Sequence, residues 1–374
     1  MANTVSVDAL RQEVWGKDLY RDVLSDIYFQ ANGMMGTDIN NIVQHKNELS
    51  KEAGDVATFG ISVRMTGNGV DGDSELEGQE EAINTYSEQI AIDQKRFAVR
   101  LTGKLDEQKA AYNMRTDAKD KLKQRLVEFH ERQVFLKMQG IVNPTLTDIA
   151  AVTVSAACAW SNTPDYVADA VDAAGSGSRY VCAASGGLDA IAVTDLITPQ
   201  LISKAKLLAT VANPQIQPLR IGGKDYYVLF IHPYQAYDLH QNATWSQAMR
   251  EAEVRGKENP IFTGADGVWD GVIVHSHPYC SFLDASAQAT GFRSASAGTV
   301  VLADTFRASL CGQQAIGMVQ CKNDNKWVEK TFDYGNKVGF ATSFIGGYQK
   351  IQFSTLALDY AVVTLDTSAS TIVA

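Results

Sequence analysis

Val56-Ala-Thr-Phe59-Gly-Ile61-Ser-Val63-Arg-Met65 carries its large apolar residues on odd positions from Phe59, the period-two pattern of a strand buried on one face. A return strand is expected over 90–101. Its alternation changes phase between Ile92 and Phe97, which predicts a bulge near Gln94 to Arg96. A two-stranded arm of this length is marginal by itself in water. The reading therefore requires a larger sheet, or a neighbouring molecule, to support it.

Directly after the hairpin, Leu105 to Gln139 runs for 35 residues without Gly or Pro, about 52 Å if helical throughout. Asp106 and Glu107 in the first turn and Lys137 in the last complement the helix dipole, and Gly140 with Pro144 supplies the stop. Asp117 with Lys121 and Glu128 with Arg132 form i,i+4 pairs. Leu122, Leu126, Phe129 and Leu136 make one apolar stripe on an otherwise charged surface. A stripe that narrow predicts that one side packs and the rest faces solvent or another subunit.

The net charge of −10 is localised. Between Met65 and Gln94 stand eight acids, Asp71, Asp73, Glu75, Glu77, Glu80, Glu81, Glu88 and Asp93, with no Lys or Arg. Taking these from the 43 acids leaves 35 against 33 bases, so the rest of the chain is nearly neutral. Two readings stand: a solvated loop kept soluble, or a tip that docks on a basic surface of a partner.

Length and composition, with 45% hydrophobic and 20% charged residues, are those of a soluble globular chain of two or three domains. No run approaches the eighteen apolar residues of a membrane span, and the N-terminus lacks the basic-then-apolar order of a signal peptide, so a cytosolic chain with no membrane role is expected. Cys158, Cys182, Cys280, Cys311 and Cys321 are scattered and never spaced C-x-x-C, which argues for buried reduced thiols rather than a zinc ribbon or disulfide framework.

Residues 1–52 read as an arm with one or two short helices. Residues 141–178 are dominated by Ala, Ser, Thr and Val, and read as a β-rich insertion or a surface excursion. Beyond Asp189, helices (198–211, 243–255) and strands (226–231, 271–275, 299–303, and around 356–365) interleave, with a mixed segment over 306–317. They lack the regular βαβ rhythm of a doubly wound sheet, which makes the fold class α+β.

Three motifs invite chemistry. Gly67-Asn-Gly69-Val-Asp-Gly72 matches G-x-G-x-x-G, but an acidic run follows where a phosphate site needs a helix N-terminus. His275-Ser-His277-Pro278 resembles the H-x-H-P of zinc isopeptidases. The Ser and Asp expected eight and eleven residues beyond His277 are Ala285 and Gln288 instead, and two histidines leaving a strand fit a sheet edge better. Asp71-Gly-Asp73-Ser-Glu75 opens like an EF-hand loop, yet Leu76 stands where Gly is needed and Ala82 where the bidentate Glu belongs. No catalytic residue, cofactor or metal site is assigned.

The run Glu75-Leu-Glu-Gly78-Gln-Glu80-Glu81-Ala82, followed by Ile92-Asp-Gln94, Arg100, Gly103-Lys104 and the long helix, resembles the major capsid proteins of tailed bacteriophages, specifically the podophage-type family that carries the HK97 fold. Three later blocks extend the likeness: Gly223-Lys-Asp-Tyr226-Tyr-Val-Leu-Phe-Ile-His232-Pro233, Asn259-Pro-Ile-Phe262-Thr-Gly264-Ala-Asp-Gly267, and Lys330-Thr-Phe-Asp333-Tyr334-Gly335-Asn336.

The resemblance implies an N-arm over 1–52, touching neighbours through Trp15, Tyr20, Tyr28 and Phe29. It implies an E-loop hairpin over 53–103 and a P-domain spine helix over 104–140. Residues 141–188 would be a low-charge insertion or connection, 189–297 an A-domain, and 298–374 a return to the P-domain sheet with a C-terminal strand. It further implies a homo-oligomer of hexamers and pentamers closing an icosahedral shell around double-stranded DNA, held without sequence-specific contacts, assembled in the bacterial cytoplasm and resident in the virion. Partners would be a separate scaffolding protein, a portal and, in some shells, a decoration protein. The acidic tip would meet Arg96, Arg100, Lys119, Lys123 or Arg125 of a neighbour. An encapsulin-like compartment and a metal-dependent hydrolase using His275 and His277 are the alternatives.

Overall fold

The structure, a computed structural model, describes residues 23, 25–46, 56–63, 69–72, 77, 78, 80, 81, 83, 85–109, 113–140, 179–184, 191–253, 265–280, 282, 283, 305–321, 327–353 and 358–370. In chain order the first elements are α1 (Tyr28–Ala31), β1 (Met35–Gly36), β2 (Val43–Lys46), β3 (Val56–Ser62), β4 (Thr85–Ala91), β5 (Asp93–Arg100), α2 (Lys104–Lys109) and α3 (Met114–Gln139). Next come β6 (Tyr180–Cys182), α4 (Pro199–Val211), β7 (Leu219–Ile221), β8 (Lys224–Ile231), α5 (Pro233–Gln241), α6 (Ala243–Glu253), β9 (Gly267–Trp269), β10 (Val272–Ser276) and β11 (Phe282–Leu283). The last are β12 (Thr305–Cys311), β13 (Ile316–Gln320), β14 (Val328–Phe332), β15 (Lys337–Lys350), β16 (Gln352–Phe353), β17 (Leu358–Asp359) and β18 (Val362–Ser368). The strand expected over 299–303 lies outside the described residues, as do Trp15, Tyr20, Cys158 and 141–178.

β3 follows its pattern: Ala57, Phe59 and Ile61 are buried and the residues between them exposed. The return strand does change phase, but at Ile92 rather than at Gln94 to Arg96, because there the chain changes partner. β4 pairs with β3 from Val56↔Ala91 to Ser62↔Thr85. β5 pairs instead with β15, from Gly346↔Asp93 to Gly339↔Arg100. One extended segment thus belongs to two sheets, and its second half supplies the support that an isolated hairpin lacks.

The single helix over 105–139 is corrected to two helices of 6 and 26 residues. Asn113 is extended, and its side chain accepts from the Arg115 N–H at 3.1 Å, a cap that starts α3 afresh. At the other end Gly140 takes the left-handed conformation (φ 63°) that closes a helix. Of the stripe, Leu122, Leu126 and Phe129 are buried as expected, but it stays narrow only as far as Leu126. Beyond it Phe129, His130, Gln133, Val134, Phe135, Lys137, Met138 and Gln139 are all buried, whereas Leu136 is only partly so.

That burial follows from what α3 bridges. A mixed six-stranded sheet runs β1-β2-β13-β15-β14, with β5 on the other edge of β15. An eight-stranded sheet runs β6-β18-β12-β8-β10-β9, with β7 and β11 attached. The first turns of α3 pack Ala118, Leu122 and Leu126 against Leu101, Trp327, Val338 and Phe340 of the smaller sheet. Its end sets Phe135 against Phe230 of β8, with ring centroids 5.6 Å apart.

Residues 298–374 therefore do not return to one sheet only. β13, β14 and β15 join the smaller one, while β12 and β18 complete the larger. Residues 27–46, expected as part of an arm, are built into the body. Ile27, Phe29, Met34, Met35, Ile42 and Val43 belong to the main core, and β2 pairs parallel with β13.

The core holds several histidines that burial keeps neutral. Desolvation lowers His232 and His277 to about 4 and His130 to about 3, with a smaller push on His130 from His45. Their folded values lie below the unfolded value near 6.5, so the unfolded chain takes up protons first as pH falls. The stability present above about pH 6.5 is lost progressively down to pH 4, at roughly 1 to 2 kcal/mol per pH unit for each such group. Urea midpoints of the unassembled subunit measured from pH 7 to 4 should fall steeply; a flat profile would contradict this account.

Candidate assembly surface

The hairpin is rooted on a surface paved with glycine. Ala57, Phe59, Ile61 and Ile90 pack with Val319, Ile351 and Phe353 in a cluster of their own. A Cβ on Gly317 would lie 2.7 Å from Ile90 Cδ1 and 3.0 Å from Phe59 Cζ, and one on Gly347 would lie 2.8 Å from Ile90 Cγ2. Lys46 closes the side of this contact: its Nζ lies 4.5 Å over the Phe59 ring and donates to the Thr58 carbonyl at 3.1 Å. A Gly317→Val change overpacks the contact by an amount typically costing about 1–3 kcal/mol. Limited proteolysis should then cut the hairpin sooner than in the parent, and equal rates would show that the root does not depend on the glycine.

Beyond Ser62 and Thr85 the hairpin presents acid to solvent. Asp71, Glu77, Glu80 and Glu81 are exposed, and Asp73 and Glu75 lie outside the described residues. Gly69, Gly72 and Gly78 have positive φ, and the Gly78 N–H donates to Glu80 Oε2 at 2.7 Å. Among the described residues the next helix after Gly72 is α2, beyond the whole return strand, so no described helix N-terminus follows these glycines as a phosphate site requires. Glu88, on β4, is half-buried, and burial raises its carboxyl above the usual range.

The candidate cations separate into two groups. On α3, Lys123 is paired with Asp26 at 2.6 Å, and Arg125 with Glu128 at 3.3 Å while lying 5.7 Å over Phe97. Lys119 is partly buried and engaged within the subunit. Arg96 and Arg100 on β5 are exposed on the sheet face turned away from α3, with Arg100 4.4 Å over the Phe332 ring. Of the aromatic residues expected to touch neighbours, Phe29 is fully buried against Phe135 and Phe230. The Tyr28 hydroxyl meets His275 Nδ1 at 2.8 Å. Both are committed to the subunit's own core.

That contact also corrects the sheet-edge reading of the histidines. His275 and His277 are buried, and His277 stacks on Phe135 at 4.5 Å. Among the described residues no group of three or more His, Cys, Asp or Glu side chains could hold a metal ion. Cys182, Cys280 and Cys311 are buried free thiols and Cys321 is partly exposed. No described helix is long and apolar enough to cross a membrane.

Charged pairs also hold the body from within. Arg307 on β12 stands opposite Asp366 on β18 and donates through Nε at 2.8 Å and Nη2 at 2.7 Å to its two oxygens. Its Nη1 donates to the Gln139 carbonyl at 3.2 Å, so the end of α3 is tied to the larger sheet. Lys350 and Gln352 both donate to Asp359, each at 2.8 Å. Neither pair was found from sequence: β12 and β18 are buried on both faces and show no alternation. Gly317 and Gly346-Gly347, glycines within strands, were the available signs of the paved surface.

A helix bridging two sheets, with an extended hairpin rooted on one of them, is the HK97-type architecture of a shell-building subunit. The comparisons with known proteins agree. The major capsid protein of Pseudomonas phage KPP25 is 29% identical over 361 residues, spanning 93% of this chain and 91% of the relative. The capsid of Ralstonia phage GP4 matches with a TM-score of 0.73 at 26% identity, over 93% of this chain and 92% of that one. The capsid of cyanophage Pam1 has the same fold, with a TM-score of 0.68 at 22% identity over 90% and 91%. The family model described as phage capsid protein matches residues 3–371, and the chain belongs to that family.

Proposed function

We propose that this chain, a phage major capsid protein that forms the icosahedral shell, closes that shell by laying its acidic hairpin on neighbouring copies. The observation that carries the reading is the hairpin itself: its root is buried in the subunit, while the described acids of its tip point into solvent. The hairpin over 53–103 acts as the E-loop, α3 as the P-domain spine, and the larger sheet with its helices as the A-domain. Hexamers and pentamers of such subunits distribute many weak contacts over a closed symmetry, which gives the wall its strength without any single tight site. A nearly neutral body lets the shell enclose double-stranded DNA without gripping it, since each phosphate contact would add salt-dependent affinity.

The role is structural rather than enzymatic. A scaffolding protein guides assembly in the host cytoplasm, a portal occupies one vertex, and a decoration protein has the outer wall available to it. Expression of the chain with and without scaffold, followed by negative-stain imaging, tests this. Round shells or hexameric capsomers are expected; a uniform monomer under both conditions would refute the reading.

A further inference from the structure

β15 presents two faces. The even positions Val338, Phe340, Thr342 and Phe344 are buried, and the first two pack with α3. The opposite face is shared between two occupants. At its far end, Gly317 and Gly347 receive this copy's own hairpin root. At its near end, where β5 and β14 flank β15 on opposite edges, the strand registers align Arg100 with Gly339 and Lys330 in one row. Arg96 lies opposite Ser343, and Phe332 opposite Lys337.

This near end is basic and low in relief. Arg96, Arg100 and Lys330 are exposed, the positions between them are Ala98, Gly339 and Ala341, and the exposed Val328 stands opposite Ala341 at the β14 edge. Phe332 leans over Gly339, and its ring holds both neighbours, with Arg100 at 4.4 Å and Lys330 at 5.1 Å. The two charges are thus positioned by an aromatic ring, and neither forms an ion pair among the described residues. Glu329 falls in the other register and accepts from Trp327 Nε1 at 2.9 Å, and Asp333, in the turn after β14, reaches Lys337 only at 4.0 Å.

We infer that this face is the seat for the acidic hairpin tip of a second copy of the chain. The argument is charge complementarity, and it rests on the reading of the hairpin given above. The tip carries carboxylates with no Lys or Arg from Met65 to Gln94, and the face carries cations spaced two strands apart, about 10 Å, over the small residues Ala98, Gly339 and Ala341. Within one copy the two lie at opposite ends of the return strand, from Thr85 to Arg100, about 50 Å of extended chain. Single exposed ion pairs contribute about 0–1 kcal/mol. The contact therefore works as a set and weakens with salt.

Charge exchange tests the assignment. Arg96→Glu with Lys330→Glu should leave the subunit folded, by circular dichroism and thermal midpoint, and lower shell yield at least tenfold. Adding Glu77→Lys and Glu80→Lys should restore it. The milder pair Arg96→Gln and Lys330→Gln should slow assembly and flatten its dependence on ionic strength, which keeps the test open if the reversal misfolds. Unchanged yield and salt dependence would overturn the assignment, as would a loss that the exchange does not restore. Normal shells that merely retain less DNA would mark the face as a phosphate surface and overturn it too. Removing the tip tests the hairpin reading separately, since that change blocks closure whichever surface receives it.

Discussion

Removing residues 69–80 is expected to yield a folded subunit that no longer closes shells. The β3–β4 ladder ends at Ser62↔Thr85, and the root cluster of Phe59, Ile61, Ile90, Val319, Ile351 and Phe353 lies wholly on the body side of that point. The described residues of the deleted segment are mostly exposed, so the fold loses little. Assembly is expected to lose much, because under the proposed reading the tip contact is made by every copy and multiplied around each ring and across the whole shell. Thermal midpoint and sedimentation measured together decide the matter. A midpoint within a few degrees of the parent with no fast-sedimenting particle is the expected pair; particles at parental yield would show that the tip is a solvated loop.

Arg307→Ala should be the most damaging single change inside the body. It strips Asp366 of its partner at 0% exposure and removes the Nη1 bond to the Gln139 carbonyl at the end of α3. Leaving one half of a buried pair typically costs about 3–5 kcal/mol, a large part of the 5–15 kcal/mol by which domains are stable. The double change Arg307→Met with Asp366→Leu removes both charges at similar volume and should recover most of that loss. Urea unfolding of the unassembled subunit reads all three proteins. An Arg307→Ala variant within about 1 kcal/mol of the parent would mean that water reaches Asp366.

The parts of the fold legible in sequence were those whose order comes from local pattern. Phe59 and Ile61 declared β3 because one face is buried and the other wet. Leu122 and Leu126 marked the packed side of α3 for the same reason. Where burial is set by distant partners, pattern failed. Phe29 lies in a helix of four residues, and Met35 and Val43 in strands of two and four residues among glycines and asparagines, all too short for any period to show. The break before α3 depends on the Asn113 cap; Ala110 and Ala111 argue for an unbroken helix, and only the capping preference of Asn argued against it. At the surface, counting charge located the acidic run, and of the five candidate cations the fold leaves Arg96 and Arg100 exposed together on one sheet face. Lys330 was missed because only register places it beside Arg100.

The change of partner at Ile92 has a mechanical meaning. The β5–β15 ladder runs from Gly346↔Asp93 to Gly339↔Arg100, and the hydrogen bonds of an antiparallel ladder lie across the strands. Tension drawn down β4 by a displaced neighbour arrives along the axis of β5 and strains those bonds in parallel. The same tension applied sideways would peel them one at a time. The arm is therefore tethered in shear, the direction in which a β-ladder resists rupture best.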